Sequence, residues 1–173
     1  MPMNPDQFTV RSEISAPTAA LLRELLARSA LRIGVPDIMI WLADPEGIGL
    51  EAMLGVGPQS ALFERRYVQT LGEGLISLVH QNGQALCRNH VEADPSHSDQ
   101  LDVLLGQHTH AMVVAPVRLG DKVAGVVSCA AVSPVGGPSS PQSFETDDLR
   151  EIEFLAACVG RILHSEFHDA GTR

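Results

Sequence analysis

Between positions 87 and 110 the chain carries Cys87, His90, Asp94, His97, His108 and His110, side chains able to hold a metal, move a proton or attack a carbon. Cys87-x-x-His90 and His108-x-His110 are short enough to share a metal. On an extended strand, residues i and i+2 point the same way, so His108 and His110 would converge. Neither spacing is a recognised zinc pattern. The favoured reading is a polar lid whose histidines hydrogen-bond or face water, with no metal. A metal or haem site, and a pH-sensitive role, stand as alternatives. For nucleophilic chemistry the candidate pair is Cys87 with His90 or His110. No orienting third group or oxyanion hole accompanies it, so a core or pocket-wall cysteine is preferred and no catalytic residue is assigned. Gly72-x-Gly74 lacks the further glycine and the lysine of a phosphate loop.

The elements that must position these groups follow from hydrophobic pattern. Residues 1–15 are polar and read as a loose arm. Leu21, Leu22, Leu25, Leu26 and Ala30 mark one face of a helix from Ala16, with Ser15 as N-cap and Gly34 as its stop. The run 37–43 is a central strand buried on both faces. Asp44-Pro45-Glu46-Gly47 turns it into a second strand, 48–56. Short elements follow: a helix within 58–65, a strand 66–71, a helix from Leu75 to His80, a strand 85–89, and a helix opening at Asp94-Pro95-Ser96 and ending at Gly106. Strands 110–119 and 122–132 flank Gly120-Asp121, a pair suited to a type II′ turn. A Pro/Gly/Ser-rich loop, 133–143, leads to a last helix, 147–167, with the stripe Leu149, Ile152, Leu155, Val159, Ile162 and Leu163. The expected domain is 16–168, with a tail at 169–173. The order is that of an α+β fold: an antiparallel sheet with N- and C-terminal helices packed on one face.

Composition sets the class. The 173 residues are 45% hydrophobic, 19% charged and only 4% aromatic, with a mean hydropathy of +0.08. That suits a folded domain with an aliphatic core rather than a disordered chain. A net charge of −9 argues against nucleic acid and against an anionic membrane as partners. No run of 18 apolar residues is present, and the N-terminus lacks the order of a signal peptide. Cys87, Cys129 and Cys158 are odd in number and sit beside Leu86, Ala130 and Ala157, as reduced thiols in a cytoplasmic protein would.

Three stretches together resemble the GAF domain family. They are Gly72-Glu-Gly-Leu-Ile-Ser-Leu-Val79, Ala115-Pro-Val-Arg-Leu-Gly-Asp-Lys-Val-Ala-Gly-Val-Val127, and Phe144 with Asp148-Leu149. The likeness runs from Ala16 to Phe167, as in a stand-alone GAF domain. It implies a ligand pocket on the sheet face opposite the terminal helices. The sequence departs from the cyclic-nucleotide subgroup, since Ala130-Ala131-Val132-Ser133 carries no Asn-Lys pair. It lacks the bilin motif, and its cysteines do not follow the spacing of the free methionine sulfoxide reductases.

The resulting expectation is a non-enzymatic, small-molecule-binding signalling module, its ligand and any cofactor unidentified. Pocket candidates are Trp41, Leu75, Cys87, His90, His97, His110, Met112 and Cys129, with a core role the simpler reading for Trp41. Output would pass through a partner protein or a homodimer, the latter through Leu21, Leu25, Phe154 and Cys158. The alternative to that dimer is absorption of both broad helix stripes within one chain. Two rival functions remain: a small cysteine-dependent redox enzyme of the GAF-fold methionine sulfoxide reductase type, and a structural dimerisation module with a vestigial pocket.

Overall fold

The computed structural model describes residues 13–138 and 142–170. Helix α1 spans Ala16–Ile33, its N-terminus capped by Ser15 Oγ, which accepts from Thr18 N, and its C-terminus closed by Gly34 at φ 80°. Strands β1 (Ile38–Ala43) and β2 (Gly49–Val56) form the expected hairpin. Short elements α2 (Ser60–Phe63), β3 (Val68–Thr70), α3 (Gly74–Asn82) and β4 (Leu86–Asn89) follow, then a 3-10 turn at Val91–Ala93 and α4 at Gln100–Leu105. The long hairpin β5 (Gln107–Leu119) and β6 (Lys122–Pro134) leads to α5 (Thr146–Ala170). Gly120 has φ 61° while Asp121 keeps a negative φ, as a type II′ turn requires.

Several boundaries move. The fourth helix begins at Gln100 rather than at Asp94, because Asp94 is spent on a turn, its Oδ1 accepting from Ser96 N. Strand β5 starts three residues before His110 and β6 ends at Pro134, so the pairing consumes the start of the expected loop. Helix α5 has 25 residues, starting one before Asp147 and continuing past the expected end at Phe167. Most of the expected arm, positions 1–12, part of the loop at 139–141 and positions 171–173 of the tail expected at 169–173 lie outside the described residues.

The six strands make one sheet in the order β3-β2-β1-β6-β5-β4, antiparallel throughout. Each face is buried against its own layer. On one side α1 and α5 cover Ile38, Ile40, Leu42, Val113, Ala115, Val127 and Cys129. On the other, Met39, Trp41, Leu50, Val114 and Val126 pack with Phe63 of α2, with Leu75, Ile76 and Val79 of α3, and with Val91. The two helices run antiparallel and are pinned at both ends. Glu166 accepts from Ser15 N at 2.8 Å and Thr18 Oγ1 at 2.7 Å, while Glu151 accepts from Ser29 Oγ at 2.7 Å and Arg32 at 3.1 Å. No helix of the described residues is long and apolar enough to cross a membrane.

Two close approaches hold the layers. Gly125 of β6 lies opposite Leu42 and so near Trp41 that a Cβ would collide with the Trp41 carbonyl oxygen. Gly160 lets α5 sit on β5, where a Cβ would come within 2.5 Å of the Arg118 carbonyl oxygen. Both collisions are with backbone, which cannot rotate away. Gly125→Ala is therefore expected to lower unfolding free energy by about 3 kcal/mol, an overpacking effect. Urea denaturation measures it, and a change below the scatter of surface substitutions would remove Gly125 from this role.

Candidate functional site

Two irregularities in strand pairing decide which side chains face the second layer. In β1–β2 the register jumps between Ile40 and Trp41, leaving Met53 as the extra residue. In β5–β6 it jumps between Thr109 and Ala111, leaving His110 as the extra residue. Such a bulge reverses the alternation on either side of it. Beyond His110 the even positions Met112 and Val114 point away from the terminal helices. Before it, the odd positions Gln107 and Thr109 do so, and both line the cavity.

That cavity, ≈ 80 Å³, lies between the sheet and α2, α3 and α4. Its apolar wall includes Met39, Trp41, Phe63, Leu75, Ile76 and Met112. Trp41 and Phe63 stack with centroids 5.8 Å apart, and Tyr67 meets Trp41 edge-on at 6.1 Å. Trp41 Nε1 donates to Ser128 Oγ at 2.8 Å, so the buried indole is satisfied within the wall.

The polar lining falls in two groups. Asp37, just ahead of β1, has Oδ1 accepting from Gln59 N at 3.2 Å. Gly57, at φ 109°, leaves the space this carboxylate occupies, since a Cβ there would strike Asp37 Oδ1. Burial raises the Asp37 pKa above its ordinary value, and the one backbone hydrogen bond offsets only part of that. The second group centres on Asp102, which is 8% exposed. It accepts from Gln107 Nε2 at 3.1 Å, Thr109 N at 2.8 Å and Thr109 Oγ1 at 2.7 Å, with His97 Nε2 3.5 Å away. Burial pushes this carboxyl up, but the hydrogen bonds from His97, Thr109 and Gln107 outweigh burial and hold it below the usual aspartate range. Gln59 Oε1 and Gln107 Oε1 are buried and lack a hydrogen-bond partner.

The structure brings Trp41, Leu75, His97 and Met112 to this cavity and places the other four expected residues elsewhere. Cys129 pairs with both Ile38 and Val113 and faces the terminal helices. It is fully buried, and burial, with smaller contributions from Asp148 and Asp37, pushes its thiol up to about 12. Cys87 also pairs with Val113 and faces that side, its Sγ 3.7 Å from the Phe144 carbonyl oxygen. Burial, then Asp148, raises its pKa as well. His90 sits at φ 60° on the surface, its ring 3.8 Å from Glu92. His110, as the bulged residue, meets Ser133 Oγ at 2.6 Å. Ser133 is the cross-strand partner of the exposed His108, so both rings lie on the side of the sheet away from the cavity, and the polar contact of His110 is to a hydroxyl. Among the described residues, no three His, Cys, Asp or Glu side chains are gathered as a metal would need.

Asp37, Gln59, Asp102, Gln107 and Thr109 were not expected at a site. The signal available for Asp102 was its place in the last turn before Gly106, within reach of the strand that follows. Nothing in the alternation of β5 marks Gln107 or Thr109, because strict period 2 from Met112 points both the other way.

The family model described as GAF domain matches residues 17–163. No match is found among curated proteins. The GAF domain from an Acinetobacter phosphoenolpyruvate-protein phosphotransferase is similar at 20% identity and TM-score 0.68, covering 89% of this chain and 85% of that chain. The GAF domain of the Coxiella burnetii phosphoenolpyruvate-protein phosphotransferase gives 14% and 0.74, covering 89% and 86%. The free methionine-R-sulfoxide reductase from Neisseria meningitidis, solved with its substrate, gives 16% and 0.68, covering 88% and 81%. At these identities the likeness is one of fold.

The Asp37 carboxyl binds its proton more tightly in the folded chain than in the unfolded one. Ionised Asp37 therefore lowers stability at neutral pH, and the penalty disappears below the unfolded aspartate pKa of about 3.9. Asp37→Asn keeps the acceptor for Gln59 N and removes the charge. It should melt above the parent at pH 7, with the two curves meeting as pH falls through the aspartate range. A variant less stable than the parent at pH 7 would contradict this.

Proposed function

The chain belongs to the GAF domain family, and on that premise we propose that it is a non-enzymatic, small-molecule-binding signalling module. The observation that carries this reading is the cavity on the sheet face away from the terminal helices. It combines an apolar wall with buried, unpaired side-chain oxygens, the mix that characterises small-ligand sites. Structures similar to this one include both the cyanobacteriochrome receptor PixJ and free methionine-R-sulfoxide reductases. What favours binding over thiol chemistry here is the placement of sulfur. Cys87 and Cys129 face the helix layer, with pKa values raised by burial, whereas a nucleophilic cysteine needs a lowered one beside its substrate.

Native mass spectrometry of the purified protein should reveal a bound small molecule, and a thermal-shift screen should find stabilising ligands. Saturation at 100 times Kd would contribute about 2.7 kcal/mol. Ala130→Phe, which projects a ring from β6 into the cavity, should abolish both signals. Cys87→Ala and Cys129→Ala should leave them intact and show no sulfoxide-dependent turnover to lose. Turnover of free methionine sulfoxide that either cysteine change abolishes would replace this reading with the reductase one.

The module's output, in the same proposal, passes through a homodimer of its terminal helices or through a partner protein. Leu21 is 50% exposed and Phe154 66% exposed on the outer side of the helix pair, while Leu25 and Cys158 are half-buried. Light scattering at micromolar concentration should give twice the chain mass. Phe154→Asp should return it to the monomer with the fold intact, whereas Leu155→Asp, at a buried position, should damage folding. A mass that stays monomeric as concentration rises excludes the dimer.

A further inference from the structure

The cavity's lining has a chemical sign. Among the described residues its ionisable members are Asp37, His97 and Asp102, and no Lys or Arg side chain lines it. Asp102 is engaged by Thr109, Gln107 and His97. Asp37 is not: one of its oxygens takes the Gln59 backbone N–H, and among the described residues no basic side chain is placed against it. A desolvated carboxylate in that position favours a cation.

A second, independent observation comes from Gln107, which is 7% exposed. Its Nε2 donates to Asp102 Oδ1, and that bond fixes which way the amide faces, since the reversed amide would set oxygen against carboxylate oxygen. Its Oε1 is thereby left as a buried acceptor without a donor, on a residue that lines the cavity. Gln59 Oε1 is buried and unpaired as well. Leaving such an acceptor unpaired is unfavourable by an amount a bound donor would recover. The aromatic wall of Trp41 and Phe63 adds apolar surface beside these polar groups.

We infer that the ligand is a small cationic amphiphile: an amine whose nitrogen donates to Asp37, carrying a second hydrogen-bond donor for Gln107 Oε1 and a short apolar body against Trp41, Phe63 and Met112. This rests on the reading of the cavity as a ligand site and adds the ligand's class. Anionic ligands, carboxylates and phosphates alike, are disfavoured by the same two observations. The cavity's ≈ 80 Å³ is about half the volume that admits benzene in an apolar protein core, so the enclosed part is a few heavy atoms long.

Three probes of one length isolate the head group: 4-aminobutan-1-ol, butane-1,4-diol and 4-hydroxybutanoate. The chain's single tryptophan gives one indole N–H resonance, at the cavity wall, to follow by NMR titration. The aminoalcohol should bind about tenfold more tightly than the diol, the advantage of a cationic over a neutral donor at a carboxylate, and the carboxylate should bind weakest. Because a net charge of −9 attracts any cation loosely, the variants decide. Asp37→Asn should erase the preference for the amine, weakening the diol less than the amine. Gln107→Met should weaken the amine and the diol alike. Equal or tighter binding of the carboxylate, a preference that survives Asp37→Asn, or no shift by any probe would overturn the inference. The broader reading is judged separately, by a co-purified molecule or a stabilising ligand of another class whose effect Ala130→Phe abolishes.

Discussion

The extra residue at His110 turns the first part of β5 over, and the polar end of the cavity exists because of it. With regular alternation Thr109 and Gln107 would point to the face beneath α1 and α5, away from Asp102. The bulge instead delivers them to Asp102, whose carboxylate takes both, plus the Thr109 backbone N–H. Strand register, helix α4 and cavity chemistry are thus one arrangement. The carboxylate secures the bulge, and the bulge orients the amide whose oxygen is left over.

The two carboxylates of the cavity show how a site can be both held and receptive. Asp102 has its burial offset by several hydrogen bonds and serves structure. Asp37 has one, on a backbone cradled by Gly57, and its burial is not fully compensated. Such residual strain in a native state is characteristic of binding positions, where a ligand supplies what the protein omits. The surrounding frame is stiff enough to bear it. Gly125 locks β6 to β1 beside this cavity, and Gly160 sets α5 on β5 behind it. Strand β5 is therefore in contact with the cavity on one face and with the helix pair on the other, a short physical route between ligand and outer surface.

Much of the fold was legible from period alone. The helix stripe ending at Gly34, the double-sided burial of β1 and the type II′ turn at Gly120 each follow from local rules, and the two-layer arrangement follows from their order. The site was legible only where alternation is unbroken. Trp41 and Met112 lie on regular stretches and reach the cavity. Cys87 and Cys129 lie on equally regular stretches, but their strands' parity relative to Trp41 depends on pairing with Val113, which no single segment reveals. His110 attracted attention as a histidine, yet it is the residue the strand sets aside. Asp37 and Gln59 are joined by a contact 22 positions apart in sequence that only tertiary structure makes.

Trp41 has a consequence beyond packing. It is the chain's only tryptophan, and the only tyrosine, Tyr67, lies edge-on to it at 6.1 Å. All tryptophan emission therefore originates at one point on the cavity wall, from an indole whose N–H is tied to Ser128. Light absorbed by Tyr67 reaches the same ring. The domain is in effect an optical device with a single emitter built into its binding surface, so that occupancy, local polarity and the integrity of the Ser128 bond can be watched by colour and lifetime without any label.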